Sequence, residues 1–462
     1  MVTTHTRRAV EPATSSSRSA VPNMGALDPR AAAAAERAAR STPTPFYLTS
    51  ETEIAAAGAA HLEEAFPDPW VRSYSLKADP LPAIVSLLKE RGWGANCVSL
   101  GEINAARSAG VPNSQITLEG IGKGPEEFDA AIAAAAGGAP FRWVAIESAD
   151  EARVLAAAVA ARDAPGKAAI RILIRLNPAI DPGTHSGLAV GRGSSKFGMD
   201  RTELLAAART IAEAGAPLQL IGIHLHAGSQ LRNLHEWHTA VKRSLAAYAE
   251  LVESRLIADQ VHRASGTLCV GGGEPISLEP GRERLPTAAD FCSAANAAWS
   301  GTSGVTPPIR AIEPGRALVT EATLLISRVL HVRERRETVP APLGLPGEAD
   351  TECARQVILD AGMGELIRPA LYGARHPVHA VAPRTTLNIL AAIHGPICES
   401  TDALGAHNVP ADTARGDLFL IKGAGAYADA MWSSYNGRPR PARLMLGAKE
   451  VSVVRERSVD QT

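Results

Sequence analysis

Several clusters of polar residues or glycine follow short apolar runs in this sequence, and each carries groups that can do chemistry. Lys77 follows the run 71–75 in the segment Tyr-Ser-Leu-Lys-Ala. Desolvation of an amine lowers its pKa, and a neutral amine can form an imine with an aldehyde. Taken alone, such a lysine is more often an ordinary surface charge.

Two further clusters contain histidine and glycine. His224 and His226 follow another apolar run, and either ring could act as a base, a metal ligand or a flat stacking partner. No nearby carboxylate-plus-histidine pattern completes a metal site, so we predict no metal. The run Gly271–Gly273 lets backbone N–H groups approach an anion such as phosphate. Turns also use glycine freely, so this run is weak evidence by itself.

The segment Glu-Pro-Gly-Arg at 313–316 places an acid and a guanidinium beside a tight turn. The Glu313 carboxylate could keep a pyridine nitrogen protonated, and Arg316 could bind a phosphate or a carboxylate. A structural salt bridge explains the motif in isolation equally well.

The elements around these clusters predict an α/β barrel followed by an all-β domain. Strand-like runs alternate with helical stretches from about 70 to 301, which is typical of a (β/α)8 barrel, whose active site lies where the strands end. The predicted strands are 71–75, 115–118, 143–146, 170–176, 218–224 and 267–270. The predicted helices are 82–91, 101–109, 125–136, 149–162, 201–214 and 234–254.

After about residue 305, short β-rich runs separated by glycine and proline indicate an antiparallel β domain. We expect a disordered tail over 1–42 with a short helix near 30–40, and a segment 43–69 whose strand 45–48 joins the β domain. The barrel is expected over 70–305 and the β domain over 306–462, with an exposed loop at 339–352.

Composition excludes several classes of partner. The 47 Lys and Arg nearly cancel the 48 Asp and Glu, so there is no electrostatic case for binding nucleic acid or an anionic membrane surface. No apolar run reaches the roughly 18–20 residues that cross a bilayer. The five cysteines are scattered and odd in number, which favours reduced thiols and a cytoplasmic location.

Taken together, the motifs resemble those of the pyridoxal-phosphate (PLP) dependent diaminopimelate and ornithine decarboxylase family. The resemblance runs from about 45 to 446 and rests on six motifs in the family's order. They are YSLKA (74–78), GIHLHAGSQ (222–230), GGG (271–273), EPGR (313–316), CES (398–400) and GAY (425–427). It implies an alanine-racemase-like barrel, pyridoxal 5'-phosphate as cofactor and a homodimer.

The resemblance also implies roles for individual residues. Lys77 would hold the cofactor, His226 would stack on its ring and Glu313 would face its pyridine nitrogen. Cys398 would enter the active site of a neighbouring subunit, and either Cys398 or Lys77 would donate a proton to the substrate carbon. The remaining cofactor-binding residues would be Ser229, Gly271, Gly272, Gly273, Gly315, Arg316 and Tyr427.

The resemblance favours the diaminopimelate branch, which implies conversion of meso-diaminopimelate to L-lysine and CO2. Arg316, Arg368 and Tyr372 could bind the distal carboxylate, and Glu399 could bind the distal ammonium group. In ornithine-type enzymes the distal group is an amine alone, which two arginines would repel. The alternative is that Arg368 and Glu399 merely pair with each other.

Four positions depart from the family pattern, namely Asp79, Cys269, the pair Gly364-Glu365 and Trp432. They keep a second hypothesis open, a decarboxylase of a related amino acid in a natural-product or siderophore pathway. A racemase on the same fold, a non-catalytic PLP-binding homologue and a metal-dependent barrel hydrolase are weaker alternatives. The presence of both Lys77 and Cys398 argues against the non-catalytic homologue.

Overall fold

The structure is a computed structural model that describes residues 29–162, 168–181, 184, 186–278, 284–340, 350–448 and 450–458. The strands are β1 (Phe46–Ser50), β2 (Val71–Ser75), β3 (Gly94–Cys97), β4 (Ile116–Leu118), β5 (Trp143–Ile146), β6 (Ile170–Leu176), β7 (Leu218–Leu225), β8 (Thr267–Cys269), β9 (Ile309–Ile312), β10 (Thr323–Arg333), β11 (Glu337–Val339), β12 (Thr351–Cys353), β13 (Arg355–Leu359), β14 (Val378–Ala380), β15 (Asn388–His394), β16 (Ala403–Pro410), β17 (Leu418–Ile421), β18 (Ala442–Leu446) and β19 (Val451–Arg455).

The α-helices are α1 (Pro29–Ala38), α2 (Glu51–Glu53), α3 (His61–Ala65), α4 (Pro82–Glu90), α5 (Leu100–Ser108), α6 (Pro125–Ala136), α7 (Ala149–Ala160), α8 (Arg201–Ala214), α9 (Leu234–Glu253), α10 (Asp259–Ser265), α11 (Ala288–Ser300), α12 (Arg316–Val319) and α13 (Arg368–Tyr372). A π-helical segment, Ile54–Ala60, joins α2 to α3. Among the described residues, no helix combines the length and the hydrophobicity needed to span a bilayer.

Strands β2 to β9 form a closed parallel barrel. Alternation along β6 separates its two faces, because side chains point to opposite sides of a strand in turn. Ile172 and Ile174 belong to the large cluster formed with the surrounding helices. Leu173, between them, packs instead with residues of other strands, including Trp143 and Cys269, and fills the barrel interior. The predicted (β/α)8 barrel is therefore confirmed.

Polar capping residues fix where several barrel helices begin. Five helices of the barrel begin after a Ser, Asp, Asn or Thr whose side chain accepts the backbone N–H three residues further on, which satisfies an otherwise unpaired donor. These capping residues are Ser99, Ser148, Asp200, Asn233 and Thr287.

The second domain is a sheet in the order β16-β15-β13-β10-β1-β18-β19, with β17 pairing to both β10 and β14. The predicted antiparallel sheet is in fact mixed, because β1 runs parallel to β18 and β13 runs parallel to β15. The predicted N-terminal strand is present as β1, and it also pairs with β10. β11 and β12 form a separate two-stranded ribbon, and most of the predicted loop between them lies outside the described residues.

A buried group of charges joins the loop after β2 to the second sheet. We call Asp79, Arg443 and Asp429 the junction cluster. Arg443 has no exposed side-chain surface and pairs with Asp79 at 2.7 Å and with Asp429 at 3.1 Å. Arg440 and Arg455 also pair with Asp429. The backbone N–H of Tyr427 donates to the carbonyl of Ala78 at 2.8 Å, so the Lys77 turn and the Tyr427 loop are tied together.

All six predicted barrel strands and all six predicted helices are present, with ends shifted by at most a few residues. Two barrel strands, β3 and β9, were not predicted, and β3 contains glycine and asparagine, which are depleted in strands. β9 begins beyond residue 305, where the sequence predicts the barrel to end. Of the predicted tail 1–42, residues 1–28 lie outside the described residues, and α1 occupies part of the remainder.

Candidate active site

A cleft of about 300 Å³, counting the part open to solvent, lies at the carboxyl ends of the barrel strands. Parallel strands end on the same face of a barrel, so residues far apart in sequence converge there. The cleft is lined by Ser75, Lys77, His226, Ser229, Gly273, Glu274, Glu313, Gly315, Arg316 and Tyr427. Tyr427 comes from the second domain. Eight of these ten residues are sequence-predicted site residues, whereas Ser75 and Glu274 were not predicted.

Lys77 lies in a short 3-10 turn, Leu76–Ala78, directly after β2. Leu76 and Ala78 on either side of it are buried, whereas Lys77 is half-buried and faces the cleft. The turn therefore presents a primary amine to the cleft from a fixed backbone position. This is what covalent attachment of an aldehyde requires.

Three buried side chains below the cleft, Glu119, His224 and Glu313, form what we call the floor trio. His224 Nε2 lies 3.0 Å from Glu313 Oε2 and 3.1 Å from Glu119 Oε2. Burial favours the neutral imidazole, but the two carboxylates outweigh it and raise the pKa of His224 to about 9. Burial and the negative charge of Glu119 raise the pKa of Glu313 to about 7. The other oxygen of Glu313, Oε1, is buried without a hydrogen-bond partner.

That unpartnered oxygen is the observation that fits a pyridine ring, because a buried acceptor normally has a donor. Glu313 lines the cleft, so a ring N–H in the cleft could supply the donor. Cys269 lies beside Glu313, and burial raises the pKa of its thiol, which keeps it protonated and uncharged.

His226 follows β7 and its ring is half-buried at the cleft. Burial lowers the pKa of His226 well below its usual range, and the positive charges of Lys77 and Arg175 lower it further. The Gly272 N–H points at His226 Nδ1, 3.4 Å away, which suits a neutral ring with an unprotonated Nδ1. A neutral imidazole can stack on an aromatic ring without adding a buried charge.

The glycine run after β8 adopts a backbone that other residues rarely take. Gly271 has a φ of +74° and Gly273 a φ of +120°. A Cβ on Gly272 would lie 2.6 Å from the carbonyl oxygen of Glu313. Close by, Arg316 Nε donates to Ser229 Oγ at 3.0 Å. Together the backbone, a hydroxyl and a guanidinium provide donors suited to a phosphate.

Two buried arginines, Arg316 and Arg368, lie close enough to repel each other. Arg316 stacks on Tyr427 and Arg368 on Tyr372, at 4.8 and 5.7 Å from guanidinium carbon to ring centre. Burial and the charge of Arg316 lower the pKa of Arg368 to about 9. Among the described residues, no carboxylate pairs with either arginine, and Arg368 Nη1 is buried without a partner.

Cys398 and Glu399 do not line this cleft. Cys398 is exposed, and its backbone N–H donates to Asn436 Oδ1 at 3.0 Å. The Tyr435 hydroxyl donates to Glu399 Oε1 at 3.0 Å. The alternative prediction of an Arg368–Glu399 pair is therefore wrong. The predicted residues Gly271, Gly272, Arg368 and Tyr372 are not part of the cleft lining, although the two glycines adjoin Gly273 and the other two residues lie close to Arg316.

Three of the four departures from the family pattern have structural roles. Asp79 belongs to the junction cluster. Glu365 is buried, accepts the backbone N–H of Gly362 at 3.0 Å and is not part of the cleft lining. The Trp432 ring lies 5.5 Å from the Arg440 guanidinium carbon. Cys269, in contrast, lies against Glu313 and within 4.8 Å of His224.

Sequence reasoning missed Glu119 and gave His224 no role. Glu119 directly follows β4, and that position at a strand end is the signal that could have revealed it. Glu274 was missed because it reads as part of the glycine turn. Burial raises its pKa to about 7.

Comparison with known proteins agrees with this architecture. Residues 54–320 match the family described as pyridoxal-dependent decarboxylase, pyridoxal binding domain. Diaminopimelate decarboxylase from Aquifex aeolicus is 31% identical over 91% of this chain and 90% of that protein. The enzyme of that name from Neisseria meningitidis serogroup A is 32% identical over 91% of this chain and 94% of that protein.

A solved structure of diaminopimelate decarboxylase from Helicobacter pylori, complexed with L-lysine, superposes with a TM-score of 0.76 at 29% identity. The match covers 92% of this chain and 96% of that one. The chain belongs to the pyridoxal-dependent decarboxylases. It is thus a carboxy-lyase whose cofactor is pyridoxal phosphate, and the racemase, hydrolase and non-catalytic alternatives are set aside.

Proposed function

We propose that this enzyme decarboxylates meso-diaminopimelate to L-lysine and CO2. The observation that carries the proposal is the pair of buried arginines, Arg316 and Arg368, without a carboxylate partner among the described residues. A buried charge without a counter-charge is costly, so a substrate carboxylate would supply what the protein lacks. The names of the relatives in the preceding subsection support the same substrate.

The positive charge around Arg316 and Arg368 also argues against ornithine or lysine as the substrate. The distal group of ornithine or lysine, as substrates, is an ammonium ion alone. Two guanidinium groups would repel it, whereas the distal end of meso-diaminopimelate adds a carboxylate that can pair with them. Tyr372 would contribute its hydroxyl to the same carboxylate.

The cofactor site follows from the cleft. Lys77 would hold the cofactor aldehyde, and His226 would stack against the ring. Ser229, Gly271, Gly272, Gly273, Gly315 and Arg316 would bind the phosphate, with Tyr427 at the side. When bound, the cofactor supplies an electron sink for the carbanion left by loss of CO2. Glu313 Oε1 would accept the hydrogen bond of the protonated ring nitrogen and keep that proton in place.

The division of roles between domains forms part of this proposal. The barrel, predicted over 70–305, would carry Lys77, His226 and the glycine cradle. The C-terminal domain, predicted over 306–462, would contribute Tyr427 and the residues that select the substrate. The strand within 43–69 would fasten the two domains.

Structural roles for the departures support this substrate over an unrelated natural-product amino acid. Asp79 and Glu365 bond to other protein groups, so neither reshapes the cleft lining. A decarboxylase of a related amino acid remains the alternative outcome of the assay below, because Glu274 lines the cleft and Cys269 lies against Glu313 of the lining.

We further propose a homodimer in which Cys398 and Glu399 of one subunit complete the cleft of the other. Both residues lie outside their own cleft, Cys398 is exposed, and half of the Tyr435 surface beside Glu399 is exposed. In the partner's cleft, Cys398 would deliver the proton to the substrate carbon and Glu399 would pair with the distal ammonium. The five free cysteines support a reducing cytoplasmic environment.

The substrate is tested by measuring CO2 and the amine product from purified holoenzyme. Candidate substrates are meso-diaminopimelate, ornithine, lysine, arginine and glutamate. We expect L-lysine from meso-diaminopimelate and at least 100-fold lower kcat/KM for the others. The Lys77→Ala variant should lose activity and the borohydride-reducible linkage. Equal or better turnover of another candidate would overturn the substrate assignment, and an active Lys77→Ala variant would overturn the role of Lys77.

The shared site is tested by complementation. Lys77→Ala and Cys398→Ala homodimers should each be nearly inactive. Mixing them under conditions that exchange subunits should restore about a quarter of the wild-type activity, because half of the dimers are mixed and each mixed dimer has one intact site. Absence of recovery, with subunit exchange verified by mass, would refute the shared site.

A further inference from the structure

The floor trio contains one more acid than the proposed cofactor chemistry uses. Glu313 can face the pyridine nitrogen, but Glu119 does not line the cleft. Its carboxylate is buried and accepts hydrogen bonds from Trp143 Nε1 at 3.2 Å and Asn96 Nδ2 at 3.0 Å. Its other two neighbours are His224 and the carboxyl group of Glu313, which lies within hydrogen-bonding reach of it. A buried carboxylate held by two neutral donors and one imidazole calls for an explanation, since burial of a charge is costly.

The contacts of His224 Nε2 distinguish the roles of the two carboxylates in the floor trio. His224 Nε2 stands between the two carboxylates and contacts one oxygen of each. Glu313 thereby keeps Oε1 unpartnered on the cleft side. If Glu119 were neutral, the imidazolium would pair with Glu313 alone and would neutralise the charge that the cofactor ring needs.

The charges balance only when Glu119 is counted. A protonated pyridine ring in the cleft would offset the repulsion from Glu119 that raises the pKa of Glu313 to about 7, so that Glu119 and Glu313 would contribute two negative charges, and His224 and the ring two positive charges. Their sum is zero. Without Glu119 the same buried region would carry a net positive charge, and either His224 or the ring would release its proton.

We infer that Glu119 is a positioning residue whose carboxylate neutralises His224, and so reserves the charge of Glu313 for the cofactor ring nitrogen. The inference rests on the proposed role of Glu313 in the cofactor site. Glu119 does not line the cleft, so it would act through His224 rather than by direct contact with substrate or cofactor.

Other titratable groups face the trio from the surrounding strands. Cys97 on β3 and Cys269 on β8 are buried, and burial raises the pKa of both thiols, so they add no charge. His226, beyond β7, is held neutral, with burial first and Lys77 second among the causes of its lowered pKa. Glu119 is thus the nearest counter-charge to His224 apart from Glu313.

The first test uses the apoenzyme and needs neither cofactor nor substrate. Histidine labelled with 13C would be titrated by NMR, with the His224 signal assigned by its loss in His224→Gln. In the wild type, His224 should remain protonated above pH 8. In Glu119→Gln, which keeps the shape but removes the charge, its pKa should fall by at least one unit. An unchanged titration would overturn the inference.

The second test uses the holoenzyme. Glu119→Gln should lower kcat by about 10–100-fold with little change in KM, and should shift the acid limb of the pH–kcat profile. Adding His224→Gln to it removes the surplus positive charge, so the double variant should recover at least several-fold over Glu119→Gln alone. A double variant that is weaker than Glu119→Gln would indicate a structural role and refute the charge balance.

Two variants separate charge from folding. Glu119→Asp keeps the charge with a shorter reach, so it should retain more activity than Glu119→Gln. Glu151→Gln removes a different largely buried carboxylate, which pairs with Lys123 at 2.8 Å away from the cleft lining. It should lower stability but leave kcat and the His224 titration unchanged. Equal losses of kcat in Glu151→Gln and Glu119→Gln would refute a specific role.

These outcomes can be told apart from failure of the proposed substrate. If meso-diaminopimelate is not the substrate, kcat measurements move to the amino acid that is turned over, while the apoenzyme titration stands unaffected.

Discussion

Two buried arginines in this chain have opposite surroundings. Arg443, in the junction cluster, is fully buried between Asp79 and Asp429. Burial would lower its pKa, but the two carboxylates outweigh burial and raise the pKa above the usual range. Arg368 is almost as buried, yet it has no carboxylate among the described residues, and its pKa falls to about 9.

The difference separates a charge that stabilises the fold from one that awaits a ligand. In the junction cluster every carboxylate oxygen of Asp79 and Asp429 has a donor. At the cleft, Arg368 Nη1 and Glu313 Oε1 have none. Arg443 Nε is unpartnered as well, so the contrast between the two arginines lies in their counter-charges, since Arg443 has two carboxylates and Arg368 has none among the described residues.

The largest effect should come from breaking the junction cluster. Arg443→Met leaves two buried carboxylates without their shared cation, which costs about 3–5 kcal/mol of unfolding free energy. Urea denaturation of apoenzyme and holoenzyme should both show this loss. A loss below about 1 kcal/mol would contradict the structural role of Arg443.

Arg368→Met should behave in the opposite way. Removing an unpaired buried charge should leave the free energy of unfolding unchanged within about 1 kcal/mol, or raise it. Loss of the contact to the substrate carboxylate should lower kcat/KM by about 100-fold, which corresponds to about 2.7 kcal/mol. Arg368→Lys is the control, and it should recover only part of the activity because it lacks the bidentate geometry.

A residue near Arg368 should also make the stability of the protein depend on pH. His376 is buried, its Nδ1 lies 2.9 Å from the carbonyl of Lys422, and burial followed by the charge of Arg368 lowers its pKa to about 3. The unfolded chain therefore binds a proton that the folded chain does not between about pH 6.5 and 3. Above about pH 6.5 His376 does not reduce the free energy of unfolding. Below that pH, proton binding by the unfolded chain lowers this free energy by up to about 1.4 kcal/mol per pH unit.

The acid effect is measured by denaturation of the wild type and His376→Gln at a series of pH values. The variant should lose less stability on acidification, since it has no imidazole to protonate. Parallel pH dependence of the two proteins would show that His376 is not responsible.

The smallest effect should come from Asp79→Asn. The amide oxygen can still accept the Leu81 N–H, and Arg443 keeps Asp429, so we expect a loss of only about 1–2 kcal/mol. Thermal unfolding with Asp79→Ala as the comparison would measure it. A loss as large as that of Arg443→Met would show that Asp429 alone cannot balance the arginine.

Local patterns made much of the fold and cleft predictable from sequence. Short apolar runs alternating with helical stretches revealed six barrel strands, and the ends of those strands revealed Lys77, His226 and Gly273, whereas Glu313 was found from the Glu-Pro-Gly-Arg motif. Conversely, β9 carries Arg310 and only four residues, so its pairing with β2 across the barrel closure has no local signature.

Long-range charge pairing was beyond sequence reasoning. Asp79 and Arg443 are 364 residues apart, and nothing in either segment indicates that they pair. Glu119 and His224 meet only because β4 and β7 both end on one barrel face. The sequence could thus place the site at the barrel face where the strands end. Which charged residues pair with each other could be seen only in the folded structure.

The most direct test compares two ligands that differ only by a carboxylate. The dissociation constants of L-lysine and cadaverine for the holoenzyme would be measured by calorimetry, in the wild type and in Arg368→Met. We expect the wild type to bind L-lysine at least 100-fold more tightly, and the variant to lose most of that preference. Equal affinities in the wild type, or an unchanged preference in Arg368→Met, would contradict a carboxylate site at the unpaired arginines.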